Sequence, residues 1–237
     1  MLKKLLDARR RGKKLTSLVF GGSCFLCRGA SSETLCAACE RDLPRLASPR
    51  CPRCALASPG GAVCGRCLAA SPRYDATVAA LAYQFPADAL IHALKFRGEL
   101  ALAPLLSHLL LREIPSSTRV DAVVPVPLSA RRLRARGYNQ ALELARPIAA
   151  RQGARLDFGV CERARETPPQ TDLPWAERAK NVRGAFRCTR ALAGATVAVV
   201  DDVMTTGATL DEIAGTLKKA GAARVVNWVV ARTLPPG

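Results

Sequence analysis

Aromatic residues make up only 5% of this 237-residue chain, which also holds just two histidines and two methionines. So few rings argue against a broad base-stacking platform and favour sequence-independent contact with phosphate backbones wherever the chain meets nucleic acid. His92 and His108 lie in an apolar helical region with no second imidazole beside either, so both read as structural rather than catalytic. Acidic residues are scarce too: 19 Asp and Glu stand against 36 Lys and Arg. No apolar run is long enough to span a bilayer, and no secretory signal is legible. The apolar stretch within residues 15–27 is short and broken, and Cys24 at its end already has Cys27 as a partner. The expectation is a cytoplasmic protein without a membrane span.

The charge imbalance bounds the partners. Formal net charge is +17 with thiols counted neutral. Seven of the first fourteen residues are Lys or Arg, and Arg131, Arg132, Arg134 and Arg136 crowd one short segment. Surplus positive charge of this kind suits a polyanion such as nucleic acid, with a solvated basic surface as the plain alternative.

Cysteine, by contrast, is abundant. Of ten cysteines, eight form four CxxC pairs within 44 residues: Cys24/Cys27, Cys36/Cys39, Cys51/Cys54 and Cys64/Cys67. Eight and nine residues separate the pairs within each half, a spacing from which tetrahedral four-thiolate zinc sites are built. Two zinc ions are expected in preference to disulfides, because CxxC repeats ahead of a nucleotide-type α/β domain suit a reducing compartment. Sequential pairing, with Cys24, Cys27, Cys36 and Cys39 around one ion, is favoured, and spacing leaves a cross-braced arrangement open. A module this small lacks core, so metal binding would supply much of its folding free energy. Cys161 and Cys188 stand apart and read as incidental thiols.

The strongest chemistry lies in VAVVDDVMTTGAT, Val197 to Thr209. Thr196 to Val200 is short and rich in β-branched residues, the pattern of a parallel strand covered on both faces, and is read as ending at Asp201. After the turn, Leu210, Ile213, Ala214, Leu217 and Ala220 recur at helical spacing up to Gly221, and Arg224 to Val230 is a further strand. Strand, turn, helix and strand make a βαβ unit whose ligands bind at the carboxyl ends of the strands. Gly207 lets backbone approach an anion, Thr205, Thr206 and Thr209 add hydroxyls, and the helix start supplies free N–H groups, which together suit a phosphate monoester. Asp201 and Asp202 can face one ligand if the strand ends there, where they would accept bonds from a vicinal diol such as ribose.

Elsewhere, Thr77 to Phe85 reads as a strand, Ala87 to Leu111 as one or two helices breaking near Gly98, and Asp121 to Val124 as a short buried strand ending in Pro125-Val126-Pro127. LSARRLRARGYNQALELA follows as a basic loop running into a helix near Asn139. That loop would bring the arginines to the same sheet edge as the phosphate turn, compensating an anionic ligand. Two domains fit the length: a zinc module over residues 1–71 and an α/β domain over 72–237.

VAVVDDVMTTGAT resembles the phosphoribosyl pyrophosphate motif of type I phosphoribosyltransferases, which runs four apolar residues, two acids, two further residues and a Thr-Thr/Ser-Gly-small-Thr turn. The resemblance implies that Asp201 and Asp202 bind the ribose 2′ and 3′ hydroxyls while Thr205, Thr206, Gly207, Ala208 and Thr209 cradle the 5′-phosphate, with Mg²⁺ accompanying the ligand. Together with the Cys-rich start, LKFRGELALAPLL from Leu94, VPVPLSARRLRARGYNQA from Val124 and QTDLPWAERAKNVRGAF from Gln170, the whole chain is similar to the ComF/GntX family. RGYNQ and the series Gln170, Leu173, Arg178, Asn181 and Phe186 are its most particular features.

That likeness implies a phosphoribosyltransferase-like parallel sheet flanked by helices, a double zinc ribbon, and handling of single-stranded DNA during uptake with a DNA-translocating helicase as a possible partner. Pro125 stands where many active transferases carry a more charged pyrophosphate loop, a departure that bears on turnover. An active transferase acting on an unidentified acceptor is the alternative, and a non-catalytic scaffold the third. No general base and no acceptor-binding residue set is legible.

Overall fold

A computed structural model describes residues 22–166 and 181–235. The basic N-terminal residues and Gln170, Leu173 and Arg178 lie outside the described residues. In compactness the chain divides at Leu43/Pro44 into two units. The first holds one four-cysteine group and the short helix α1 (Ala37–Arg41). The second holds the other four-cysteine group, with α2 (Gly65–Ala69), and the whole α/β fold.

Five strands make the main sheet: β1 (Ala76–Ala82), β2 (Ala122–Pro125), β3 (Arg155–Leu156), β6 (Thr196–Met204) and β7 (Arg224–Arg232), in the order β1-β7-β6-β2-β3. Every pairing is parallel. The inner strands read as near-continuous Val and Ala because helices and loops cover both faces. Eight of the nine residues of β7 are buried, each fully buried aliphatic side chain contributing about 1.5–3 kcal/mol. A separate antiparallel hairpin pairs β4 (Cys161–Arg163) with β5 (Phe186–Cys188).

The helical region between β1 and β2 divides into α3 (Ala87–Phe96) and α4 (Leu102–Leu111). The segment after β2 differs from the expected basic loop. It is a helix, α5 (Ala130–Arg136), capped at its start by Ser129, whose hydroxyl accepts from the Arg132 N–H, and ended by Gly137 at φ +82°. None of its residues is buried, so it carries no apolar stripe to betray it in sequence, and only the caps mark it. Helix α6 (Gln140–Gln152) follows, with Asn139 as its cap, and α7 (Ala208–Lys219) joins β6 to β7. Ser107 of α4 donates to the Leu144 carbonyl of α6 at 3.0 Å in a buried contact.

β2 and β6 are neighbours whose onward connections leave in opposite directions, one toward β3 and the other toward β7. Such a reversal opens a crevice beyond the carboxyl ends of the two strands.

Candidate functional site

A cleft of about 510 Å³ occupies that crevice. Its walls come from β6 and the following turn, the segment after β2, α5, the end of α3, and Arg163 of β4.

β6 does not end at Asp201 as expected; it continues to Met204, because β7 keeps pairing with it as far as Met204 opposite Arg232. Asp201 and Asp202 therefore alternate across the sheet. Both still border the cleft, with the Asp202 N–H donating to Asp201 Oδ1 at 2.9 Å. Asp202 is 3% exposed and meets Lys95 of α3, whose Nζ lies 2.9 Å from Oδ2 and 3.1 Å from Oδ1. Burial and the adjoining Asp202 carboxylate hold the Asp201 carboxyl well above its usual range, against the pull of Lys95. For Lys95, burial opposes the charge, but the two carboxylates outweigh it and raise its pKa.

The turn after β6 delivers Thr205, Gly207, Ala208 and Thr209 to the cleft wall. Gly207 has φ +87°, and a Cβ there would stand 2.7 Å from Met204 Cε and 3.1 Å from Tyr74 Oη. Only glycine fits. Thr206 is placed differently: its hydroxyl accepts from the Ala208 N–H at 3.1 Å, organising the turn. The start of α7 directs its positive end at the same space.

Of the four clustered arginines, Arg131, Arg132 and Arg136 line the cleft, while Arg134 is exposed and does not. Arg136 stacks on Phe96 with its guanidinium carbon 5.2 Å from the ring centre and donates to Gln140. Arg131 pairs with Glu166 at 3.8 Å. Lys95 and Arg163, neither assigned a role from sequence, complete five cationic side chains around two carboxylates. That excess selects an anion. Lys95 had a signal: it stands four residues after buried Ile91, on the apolar side of α3. Arg163 had none, in a three-residue strand.

The Pro125–Pro127 segment can offer an anion little. Two of its residues lack an N–H, and the Val126 N–H donates to the Val200 carbonyl at 2.9 Å. Oxygens at this edge would have to be met by side chains.

The two four-cysteine groups repeat one design. Cys24 and Cys51 each receive a backbone N–H from the next knuckle, Cys36 to Cys24 Sγ at 3.3 Å and Cys64 to Cys51 Sγ at 3.4 Å. Arg28 and Ala55 occupy the same left-handed turn position, at φ 63° and 60°. Cys24, Cys27, Cys36 and Cys39 gather their sulfurs within 4.8 Å, as do Cys51, Cys54, Cys64 and Cys67, so pairing is sequential. Cys27–Cys36 and Cys54–Cys64 sulfurs are 3.8 and 3.6 Å apart, close to the ~3.8 Å edge of a tetrahedron with metal–sulfur bonds of ~2.3 Å. These distances fit zinc and not a disulfide. N–H donation from Cys27 and Cys36 lowers the Cys24 thiol to about 6. Burial works against the Cys51 thiolate, yet N–H groups of Cys64, Cys54 and Arg53 bring it to about 6 as well. Cys161 and Cys188 face each other across the hairpin, and burial pushes Cys161 up to about 12, far from ligand chemistry.

The parallel sheet, its switch-point cleft and the paired four-cysteine groups define a type I phosphoribosyltransferase-like fold with a double zinc ribbon. Residues 15–68 match the double zinc ribbon domain. DNA utilization protein YhgH of Salmonella typhimurium is 37% identical over 227 residues, spanning 92% of this chain and all of that protein. Competence protein F of Haemophilus influenzae is 30% identical over 226 residues, spanning 90% and 98%. The chain belongs to the ComF/GntX family. Among solved structures, the allosteric regulatory enzyme of purine biosynthesis is similar over 54% of this chain and 25% of its own, at 26% identity and TM-score 0.36. A purine phosphoribosyltransferase from Pyrococcus horikoshii Ot3 is similar over 67% and 88%, at 17% identity and TM-score 0.30. Among the described residues no helix is long and apolar enough to cross a membrane.

Proposed function

We propose that the cleft binds phosphoribosyl pyrophosphate or a related sugar phosphate, in a protein that handles single-stranded DNA during DNA uptake. The observation that carries the reading is the turn at Thr205–Thr209, closed by a glycine at positive φ with little room for a side chain and faced by five cations. The 5′-phosphate would lie on the Thr205 and Thr209 hydroxyls and the start of α7, the ribose hydroxyls against Asp201 and Asp202, and the remaining phosphates toward Arg131, Arg132 and Arg136. Mg²⁺ would travel with the pyrophosphate, Asp201 and Asp202 being the carboxylates at hand to hold it. The names of the relatives support the DNA role, and the chain's charge gives it a sequence-independent, salt-sensitive means of contact. The proline-bound segment after β2 favours binding over rapid turnover, and transfer to an acceptor is the alternative outcome.

Calorimetric titration with phosphoribosyl pyrophosphate and Mg²⁺ tests the site. Micromolar binding is expected, lost in Asp201→Ala/Asp202→Ala with zinc content unchanged; unaltered affinity in that variant would sink the assignment. Single-stranded DNA titrated in parallel at two salt concentrations tests the second half, where salt-independent or absent binding would count against it.

A further inference from the structure

The turn at residues 204–209 has an underside, and the groups on it lead to the second four-cysteine group. Arg232, the last residue of β7, is 0% exposed although it bears a guanidinium. Its Nε donates to the Cys54 carbonyl at 2.9 Å, and its Nη1 to the carbonyls of Met204 and Thr233, each at 2.9 Å, and of Thr205. One guanidinium thus joins a metal knuckle to the first residues of the phosphate turn. Its Nη2 is buried without a hydrogen-bond partner among the described residues. A cation so placed is disfavoured unless counter-charge is near, and a zinc ion held by four thiolates is a net anion.

Two neighbours reinforce the route. Tyr74 packs beneath Gly207. Arg73 donates to Asp211 through its N–H at 2.5 Å and its Nε at 2.9 Å, and to Glu212 through Nη2 at 2.6 Å, fixing the first turn of α7. Arg73 and Tyr74 come shortly after α2, the helix that carries Cys67.

We propose that Arg232 couples the metal centre of Cys51, Cys54, Cys64 and Cys67 to the sugar phosphate site, as a positioning residue that holds the phosphate turn in its binding shape only while the centre is loaded. The inference rests on the sugar phosphate reading of the cleft. With metal bound, the Cys54 carbonyl is fixed, Arg232 is fixed by it, and the carbonyls of Met204 and Thr205 are fixed in turn. The Thr205 hydroxyl and the N–H groups at the start of α7 are thereby aimed. Binding linkage is reciprocal, so the ligand must hold the metal in place to the same degree as the metal prepares the ligand site.

The test uses the full-length zinc-loaded protein. Zinc transfer to a chromophoric chelator is followed with and without phosphoribosyl pyrophosphate and Mg²⁺, calorimetry reports binding, and amide exchange reports residues 204–209. One of two zinc-release phases should slow by roughly fivefold or more, and the Cys24→Ser/Cys36→Ser variant, lacking the first centre, should retain that phase. Arg232→Met should keep its zinc, bind the ligand more weakly by a similar factor, and release zinc at a rate the ligand no longer changes. Arg232→Lys, with a single nitrogen to share among the carbonyls, should fall between. Ligand that binds while leaving both release phases unchanged overturns the coupling and leaves the site reading intact. If the ligand does not bind, the site reading fails and exchange decides alone. Faster exchange at 204–209 with α6 unaffected, on zinc removal, upholds the coupling; unchanged exchange, or a rise throughout the sheet, overturns it. The wild-type arms need no variant to fold.

Discussion

Replacing Lys95 with Met would leave the Asp202 carboxylate, with its side chain 4% exposed, without the counter-charge now 2.9 Å away. Removing one member of a buried pair costs about 3–5 kcal/mol. The Lys95 side chain is 26% exposed, so water screens part of the interaction and a loss of about 2–3 kcal/mol is expected. Asp202→Asn is milder, about 1 kcal/mol, because the lysine stem can turn its ammonium toward the open cleft. The double variant carries neither charge and should be no less stable than Lys95→Met alone, which amounts to an interaction energy of at least about 1 kcal/mol. Urea unfolding of the zinc-loaded proteins, followed by tryptophan fluorescence with slopes compared across the four, measures all terms. A Lys95→Met cost below about 0.5 kcal/mol, or a double variant equal to the sum of the singles, would refute the reasoning.

Gly207→Ala must place a methyl group against Met204 and Tyr74 at a positive φ, so a stability loss of about 2–4 kcal/mol is expected, with sugar phosphate affinity down more than tenfold by calorimetry. Metal removal should be unequal: Cys51, Cys54 and Cys67 belong to the apolar cluster that includes sheet residues Val199 and Val229, so Cys51→Ser should lower Tm well beyond Cys24→Ser in a thermal scan. Asp201 supplies the pH dependence. Its folded carboxyl is raised by burial and by Asp202, so the folded state keeps a proton the unfolded chain gives up, and stability falls as pH rises above the ordinary carboxylate value near 3.9. Asp201→Asn should therefore gain Tm over the wild type at pH 8 and show a smaller gain at pH 5; a gain independent of pH would remove Asp201 as the cause.

How much was readable in advance varies with the kind of signal. The glycine turn after β6 and the sequential cysteine knuckles were legible because each depends on local spacing: Gly207 on a backbone angle, the cysteines on short CxxC turns. The end of β6 was not, since Asp disfavours strands in isolation, whereas pairing with Ala231 and Arg232 carries the strand on to Met204. For α5 the signs were reversed, a helix with no buried residue whose only marks are Ser129 and Gly137. Arg232 was the least readable of all, because a charged residue closing a Val-rich strand belongs at the surface by every local rule. Only the carbonyls brought together by Cys54, Met204 and Thr205 explain it.

The cleft itself separates binding from turnover. On the proposed reading, a sugar phosphate would be held by the Thr205–Thr209 turn, the Asp201 and Asp202 carboxylates and the arginines, which border one 510 Å³ space. Expelling pyrophosphate requires more, namely donors aimed at the charge that develops on the leaving group. At the edge after β2, Pro125 and Pro127 have no N–H to give and that of Val126 is held by Val200. The burden falls on Arg131, Arg132 and Arg136; Arg131 already pairs with Glu166, and Arg136 is engaged by Phe96 and Gln140. On the proposed reading, a site so built would retain its ligand more readily than it would activate it.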